Sequence, residues 1–227
     1  MATLFIVATP IGNLEDITLR ALRVLQEVDS ILCEDTRQTK KLLDRHGISN
    51  KKLIAYNEKQ SGKSLDGILE LLKDGKNLAL VSDAGTPGIS DPGSTLVAEV
   101  QKEFGTEAVV PIPGASALIT ALSAAGFPAS DFLFLGFLPH KKGREKLFTE
   151  IAGSFRTVVF YESPHRISKT LLSLQKHLAV TRQVTIGREL TKLHEEFRKG
   201  TSTELRAYFE AHPDKVRGEF VVMVERE

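Results

Sequence analysis

Ten short apolar runs alternate with segments of helical periodicity along the whole sequence, and this alternation restricts the possible folds most. In the first half the runs are separated by amphipathic segments such as 17–27 and 66–73. Crossover helices of this kind join parallel strands, so a parallel sheet is predicted there. Later runs are linked more tightly, and the last three are expected to be antiparallel or mixed. The fold class is therefore predicted to be α/β. The runs are "LFIVAT", "SILCE", "LIAY", "LALVS", "AVVPI", "FLFLGF", "TVVFY", "QVTIG", "EEFRKG" and "EFVVMVE".

A domain boundary is predicted near the middle of the chain. The segment "SALITALSAAG" has the pattern of a helix that Gly126 ends, and "FPASD" after it is typical of a linker. We therefore expect two α/β domains, residues 1–126 and 127–227.

Composition excludes several classes of protein. The apolar runs never approach the roughly 20 residues that cross a bilayer, and the N-terminal run is interpreted as a strand, so a soluble cytoplasmic protein without a membrane partner is expected. A single cysteine, Cys33, excludes an internal disulfide and a multi-cysteine metal site. The net charge of +1 argues against a strongly cationic nucleic-acid binder. The segment "HKKGREK" (140–146) is either a local basic face for RNA or a solvated loop and helix start.

Three loops rich in glycine and proline follow predicted strands. They are "VSDAGTPGISDPG" (81–93), the Pro113–Gly114 turn with the helix start at Ala115–Leu118, and Thr9–Asn13. In the first of these, Asp91 is predicted to cap a helix with Pro92 at its first position. Ligands bind at the carboxyl ends of parallel strands, where such loops lie, so we expect one crevice for a small molecule. The alternative is that the loops are only tight connections.

Common cofactor motifs do not fit. "QSGKS" has Asn57 where a Walker A loop needs glycine, and the 81–93 loop does not match G-x-G-x-x-G. After "HEE" (194–196), Arg198 replaces the second histidine of a zinc motif. ATP, NAD and a catalytic metal are therefore not expected.

Two strand ends in the second half are crowded with ionisable side chains, in "FYESPHR" (160–166) and "GRELTKLHEEF" (187–197). With "CEDTRQTKK" (33–41) they could form charged walls of a substrate cleft. Structural ion pairing is the alternative for Glu162, Arg166, Arg188 and Glu189.

Taken together, these segments resemble the tetrapyrrole methylase superfamily of S-adenosylmethionine-dependent methyltransferases, and within it the branch that methylates ribosomal RNA. The resemblance rests on "TPIGNLEDIT", "EDTR", "VSDAGTPGISDPG", "PGASALITALSAAG", "GFLP", "FYESPHR", "RELTK" and "GEFVVMVE" in that order. It implies two α/β domains with S-adenosylmethionine in the cleft between them, a homodimer and no metal. It also implies methylation of the ribose 2′-hydroxyl of a decoding-centre cytidine in small-subunit ribosomal RNA or the assembled small subunit.

The resemblance further implies roles for individual residues. The residues expected to contact the methyl donor are Pro10, Ile11, Ser82, Asp83, Ala84, Thr86, Pro113, Gly114, Ser116, Ala117, Tyr161, Leu190 and Glu219. A general base must lie within reach of the hydroxyl that loses its proton, and Glu162 and Glu189 are the candidates. Further catalytic candidates, which would hold phosphate or polarise the hydroxyl, are Arg166, Arg188 and Lys192, with Asp35 and Arg37 as an additional pair.

Two other functions remain open. The chain could belong to another branch that acts on a corrinoid, a porphyrin or a modified histidine of a protein, or it could bind the donor without catalysis. "TPIGN" and "YESPHR" favour the RNA branch, and the clustered Glu, Arg and Lys residues favour an enzyme. Many members continue past the last strand into a small helical segment, whereas this sequence stops at "VVMVERE".

Overall fold

The computed structural model describes residues 2–58 and 63–226. The "QSGKS" segment, which was compared with a Walker A loop, lies mostly outside the described residues. The chain forms two compact units, 1–116 and 117–227. The units divide between Ser116 and Ala117, whereas the sequence predicts a boundary after Gly126. Helix α5 (Ala117–Ser123) accounts for the difference, because it packs against a strand of the second unit.

The first unit is a five-stranded parallel sheet covered by helices, as predicted. The strands lie in the order β3-β2-β4-β1-β5, so β1 pairs with both β4 and β5. This order places the ends of β4, β1 and β5 side by side. The elements are β1 (Leu4–Val7), α1 (Leu19–Glu27), β2 (Ser30–Cys33), α2 (Thr36–Arg45), β3 (Lys52–Ala55), α3 (Lys63–Lys73), β4 (Leu78–Val81), α4 (Ser94–Phe104) and β5 (Val109–Ile112).

Apolar side chains cover both faces of this sheet. Val7, Ile31 and Ala79 pack beneath α1 and α2 on one face. On the other face Leu4 and Leu80 pack with α3 and α4. Burial on both faces explains why the central runs are continuously hydrophobic instead of alternating.

Helix α4 begins later than the sequence predicts. Its first residue is Ser94, preceded by Gly93 with a φ of 138°, so the predicted cap at Asp91 with Pro92 at the first helical position is wrong. Glu58 caps the helix instead: its Oε1 accepts hydrogen bonds from the N–H groups of Gly93 (2.9 Å) and Thr95 (3.0 Å). The helix is therefore capped by Glu58, a carboxylate from a distant segment, and not by the local side chain of Asp91.

The second unit is a mixed sheet, also as predicted. The strand order is β6-β7-β10-β8-β9; β6 and β7 are parallel, and the other pairs are antiparallel. Three helices cover one face, with Phe148, Leu171 and Phe209 in the core. The elements after α5 are β6 (Phe132–Phe137), α6 (Arg144–Ala152), β7 (Thr157–Glu162), α7 (Ile167–His177), β8 (Gln183–Arg188), β9 (Glu196–Thr201), α8 (Ser202–Ala211) and β10 (Phe220–Val224).

The end of α5 follows the predicted turn only in part. The helix stops at Ser123, and Gly126 adopts the expected left-handed backbone (φ 71°) after two intervening residues. None of the helices described is long and apolar enough to cross a membrane.

Candidate active site

The loops after β1 and β4 are joined by backbone hydrogen bonds. Thr9 and Gly85 exchange a reciprocal pair, with N–H to oxygen distances of 2.8 and 3.0 Å. The Thr9 hydroxyl donates to the Ser82 carbonyl at 3.0 Å, and the Ser82 hydroxyl donates to the Gly85 carbonyl at 3.1 Å. These bonds fix the start of the 81–93 loop against the end of the first strand.

The loop after β5 completes the same surface. A Cβ atom at Gly114 would lie 3.0 Å from the Cβ of Ala8, so glycine allows the two backbones to approach closely. The Thr86 hydroxyl donates to the Ala115 carbonyl at 3.2 Å. The three predicted loops therefore converge, because β1 lies between β4 and β5. From the donor-binding prediction, this unit brings together Pro10, Ile11, Ser82, Asp83, Ala84, Thr86, Pro113, Gly114 and Ser116.

The converged loops have the groups that S-adenosylmethionine would need. That molecule carries a carboxylate, an ammonium, an adenine and a sulfonium, so it requires backbone donors, acceptors and an apolar wall. Within the described ranges, no hydrogen bond engages the backbone N–H of Ala84 or Thr86. Asp83 is exposed, while Pro10 and Ile11 are buried beside the loop. The residues present fit the donor.

Asp35 lies next to these loops but is bonded to its own helix. Its carboxylate caps α2 through the Arg37 N–H (2.8 Å) and forms an ion pair with the Arg37 guanidinium (2.7 Å). These contacts lower the pKa of Asp35 to about 2. The backbone N–H of Asp35 donates to Asp83 Oδ1 at 3.1 Å, and this bond connects the end of β2 to the 81–93 loop. The geometry favours a capping pair over a catalytic one.

Glu34 was not singled out from the sequence. Burial, followed by repulsion from Asp91 and Asp83, raises the pKa of its carboxyl. Two acidic side chains near the loop were visible in "CED", but only the fold brings Glu34 close to Asp83 and Asp91.

In the second unit the ionisable residues gather at one end of the sheet. The register places Glu162 and Arg188 on either side of Phe220, because β7 and β8 end where the antiparallel β10 begins. The segments "FYESPHR" and "GRELTKLHEEF", predicted to be crowded strand ends, therefore lie at the same end of this sheet.

Glu162 lies at the centre of a buried network. Its side chain is 0% exposed, and its Oε1 lies 2.7 Å from Arg166 Nε. Its Oε2 accepts from the Thr170 hydroxyl at 2.6 Å and lies 3.4 Å from Arg144 Nη2. The Ser163 N–H adds a fourth contact at 2.8 Å. With both oxygens occupied, Glu162 and Arg166 fit the structural alternative better than a role in proton transfer.

Arg188 is also held in place, by residues that sequence reasoning missed. Its Nε donates to Glu196 Oε2 at 3.3 Å, and Nη2 donates to the His194 carbonyl at 3.1 Å. Glu196 is partly buried, which opposes ionisation, but bonds from Tyr208 and Arg198 lower its pKa to about 2. No signal in the sequence connects Tyr208 to this group, since α8 brings it there.

Glu189 and Lys192 form a separate group in a strained turn. Glu189 has a φ of 50°, and Thr191 in the same turn has 65°. Lys192 Nζ lies 2.9 Å from both Glu189 Oε1 and Glu219 Oε2. Burial opposes ionisation of Glu189, but Lys192 and the Glu219 N–H (3.1 Å) outweigh it and lower its pKa. Strained backbone of this kind persists where the surroundings enforce it and is frequent at functional sites.

Two predicted donor contacts lie at this end of the sheet, Leu190 in the turn and Tyr161 on β7. Leu190 is buried against Gly187, where a Cβ atom would come 3.0 Å from Leu190 Cδ2. The Tyr161 ring packs edge-on against Phe134 and Phe137, with centroids 5.0 and 5.5 Å apart. Ala117 is the first residue of α5.

Across the described ranges, no group of three or more His, Cys, Asp or Glu side chains could hold a metal ion.

Comparison with known proteins places the chain in a family. Two α/β units with these sheets and converging loops define the class of the tetrapyrrole methylase fold. Residues 3–206 match the family described as "Tetrapyrrole (Corrin/Porphyrin) Methylases". The chain belongs to the tetrapyrrole methylase family and is therefore a methyltransferase by descent, which confirms the resemblance found in its motifs.

Among curated proteins the similarity extends over nearly the whole chain. It is 49% identical to "Ribosomal RNA small subunit methyltransferase I" of Thermotoga maritima, covering 99% of this chain and 98% of the relative. A protein of the same name from Halalkalibacterium halodurans is also 49% identical, with 98% of this chain and 75% of the relative covered.

Solved structures share the fold at low identity. A cobalt precorrin-4 methyltransferase has a TM-score of 0.72 and 16% identity, with 98% of this chain and 94% of that chain covered. A uroporphyrin-III C-methyltransferase from Thermus thermophilus complexed with S-adenosyl homocysteine has a TM-score of 0.67 and 16% identity, over 99% and 97% of the two chains.

Proposed function

We propose that this protein transfers a methyl group from S-adenosylmethionine to a ribose 2′-hydroxyl of small-subunit ribosomal RNA, at a cytidine of the decoding centre. The observation that carries the proposal is the 49% identity, over 99% of the chain, to a relative named for small-subunit ribosomal RNA methylation. The convergence of the three loops supports it, because those loops contain the motifs of the resemblance.

The loops of the first unit would hold the donor. When bound, S-adenosylmethionine supplies an electrophilic methyl group on a positively charged sulfur. The N–H groups of Ala84 and Thr86 would bind its polar ends, and Pro10 and Ile11 would supply the apolar wall. Pro113, Gly114 and Ser116 would complete the site from the third loop, together with Ala117, the next residue along the chain. Rigid backbone contacts keep such a site in one geometry, and positioning is the main source of rate in a transfer of this kind.

Residues of the second unit would act on the ribose. Glu189 is our proposed base, because its carboxylate is less buried than that of Glu162 and lies in a strained turn. Lys192 would polarise the hydroxyl or hold a phosphate. Tyr161, Leu190 and Glu219 would contact the donor. Arg188, held by Glu196 and the His194 carbonyl, would fix the end of β8 directly before the turn.

The partners follow from the substrate. We propose that the protein works in the cytoplasm on ribosomal RNA or the small subunit, as a homodimer and without a metal. Light scattering at working concentration would reveal a monomer if the dimer proposal is wrong.

The test is transfer of a labelled methyl group to small ribosomal subunits from cells that lack the decoding-centre ribose methylation, with the modified nucleotide mapped. Label on the cytidine ribose is expected. Donor binding without transfer would contradict the proposal and favour a non-catalytic module, whereas label on a protein or a tetrapyrrole would favour another branch of the family. Glu189→Gln should lower turnover by about 10²-fold or more without weakening donor binding.

A further inference from the structure

Positive charge is concentrated in two neighbouring segments of the second unit, each a loop together with the first turn of the helix that follows it. Residues 138–146 and 162–169 contain six basic and two acidic side chains, an excess of four positive charges, whereas the whole chain carries +1. We call the exposed basic side chains of these segments the basic surface; one acidic side chain, Glu145, is exposed among them. Its members are His140, Lys141, Lys142, Lys146, His165 and Lys169, all exposed.

The buried Glu162 network holds the two loops together. Arg166 Nη1 donates to the Leu138 carbonyl at 2.8 Å, and Arg144 Nη1 donates to the Pro139 carbonyl at 3.0 Å. Arg144 also donates to Thr170 of α7 at 2.6 Å. The two loops are therefore linked through the side chains of Arg144 and Arg166, which also contact Glu162. These contacts pre-organise the surface in the absence of a partner.

Three of the four exposed lysines of this surface are not neutralised by neighbours. In the part of the chain described, Lys141, Lys142 and Lys169 have no acidic group within ion-pair distance; Lys146 has Glu150 at 3.7 Å. Two of the lysines chosen below as controls are paired instead, Lys73 with Glu103 at 3.0 Å and Lys102 with Glu99 at 3.3 Å. An unpaired cluster of this kind suits a partner that carries many negative charges.

The position of the surface agrees with the proposed reaction. It follows the carboxyl ends of β6 and β7, the same end of the sheet at which Tyr161 and the Glu189 turn lie. An RNA strand bound there would have its backbone on the same side of the unit as the residues proposed to act on the ribose.

We infer that the basic surface binds the phosphate backbone of the RNA substrate, an inference that rests on the proposed function. Lysine ammonium groups neutralise phosphates without reading bases, so the surface orients the strand and contributes affinity regardless of sequence. Binding releases counterions, and affinity therefore falls with salt by an amount that depends on the number of phosphate contacts.

The test compares two triple variants of equal charge. One is Lys141→Gln, Lys142→Gln and Lys169→Gln; the control is Lys73→Gln, Lys102→Gln and Lys176→Gln, in which Lys176 lies at the other end of α7 from Lys169. Affinity for purified small ribosomal subunits is measured from 50 to 200 mM salt, with S-adenosylmethionine affinity and circular dichroism measured in parallel.

The basic-surface variant should keep its fold and donor affinity. The slope of log affinity against log salt should become shallower by about 2.1 to 2.7, which reduces the salt-dependent loss over that range by about 18- to 42-fold. The control should keep the wild-type slope. If the triple variant misfolds, the single variants Lys141→Gln and Lys169→Gln should each change the slope by about 0.7 to 0.9.

Equal slopes for the basic-surface variant and the wild type would overturn the inference while leaving the proposed reaction intact. Failure of the wild type to bind the subunits would overturn it as well. If the wild type binds but transfers no methyl group, the proposed function fails, and a shallower slope in the variant still supports an RNA-binding surface.

Discussion

At the scale of single residues, the structure separates the two candidate bases by their surroundings. Glu162 is fully buried, hydrogen-bonded to Arg144 and Thr170 and ion-paired with Arg166, whereas Glu189 is partly exposed and paired with Lys192. The same residue type therefore serves two purposes, one structural and one proposed to be chemical. Sequence pattern cannot make this distinction, since both glutamates follow strands and both have an arginine nearby.

Replacing Glu162 should reduce stability more than replacing Glu189, Glu58 or Asp35. Glu162→Ala leaves Arg144 and Arg166 without their buried partner, which costs about 3–5 kcal/mol in the free energy of unfolding. Urea denaturation at neutral pH measures this cost. Glu189→Gln is the control and should change the free energy of unfolding by less than about 1 kcal/mol. A Glu162→Ala protein as stable as the wild type would show that the network contributes little.

At the scale of elements, loops are positioned by contacts from distant segments. Glu58 caps α4, and because Thr95 and Gly93 donate backbone N–H groups to its carboxylate, its pKa is lowered from 4.5. The folded state therefore favours the ionised form. This contribution to stability is present at pH above the unfolded-state pKa and is lost as the pH falls through the lower pKa of the folded state.

Glu58→Ala should thus destabilise the protein by about 0.5–2 kcal/mol at pH 7. Chemical denaturation at pH 7 and again near pH 3 measures the difference from wild type, which should shrink in acid. Glu70→Ala, on the exposed side of α3, is a control expected to lack this pH dependence. A constant difference across the pH range would contradict the cap.

The turn that holds Glu189 depends on Gly218. Its φ is 79°, and a Cβ atom there would lie 2.1 Å from Glu189 Oε1, so Gly218→Ala must push the Glu189 side chain away from Lys192. Turnover should fall, with a loss of about 1–2 kcal/mol in stability from the left-handed backbone. Gly67→Ala in α3 is the control: nothing lies within 4 Å of its Cβ position, and a gain of about 0.5–1 kcal/mol is expected. Unchanged turnover of Gly218→Ala would count against a role for Glu189.

At the scale of the whole molecule, the alternation of strand-length runs with amphipathic segments was sufficient to predict the ten strands of the described ranges, the parallel first sheet and the mixed second sheet. It failed where geometry depends on segments far apart in the chain. The cap of α4 comes from Glu58, thirty-five residues before Gly93, and Tyr208 reaches Glu196 through a helix. The convergence of the three loops was predictable because neighbouring parallel strands end at one edge. The hydrogen bonds to the buried Glu162 carboxylate could not be predicted, because they come from Arg144 and Thr170 on two other elements.

Donor binding should stabilise the whole protein selectively. A ligand that binds only the folded state adds about 2.7 kcal/mol at a concentration one hundred times its Kd. S-adenosylmethionine and S-adenosylhomocysteine should therefore raise the Tm, whereas ATP and NAD at the same concentration should not, because the loops lack their phosphate motifs. Gly114→Val should abolish the increase: a branched side chain at this position cannot fit where even a Cβ atom lies 3.0 Å from Ala8, so the first and third loops must separate. Persistence of the full increase in that variant would show that the donor does not depend on the convergence of these loops.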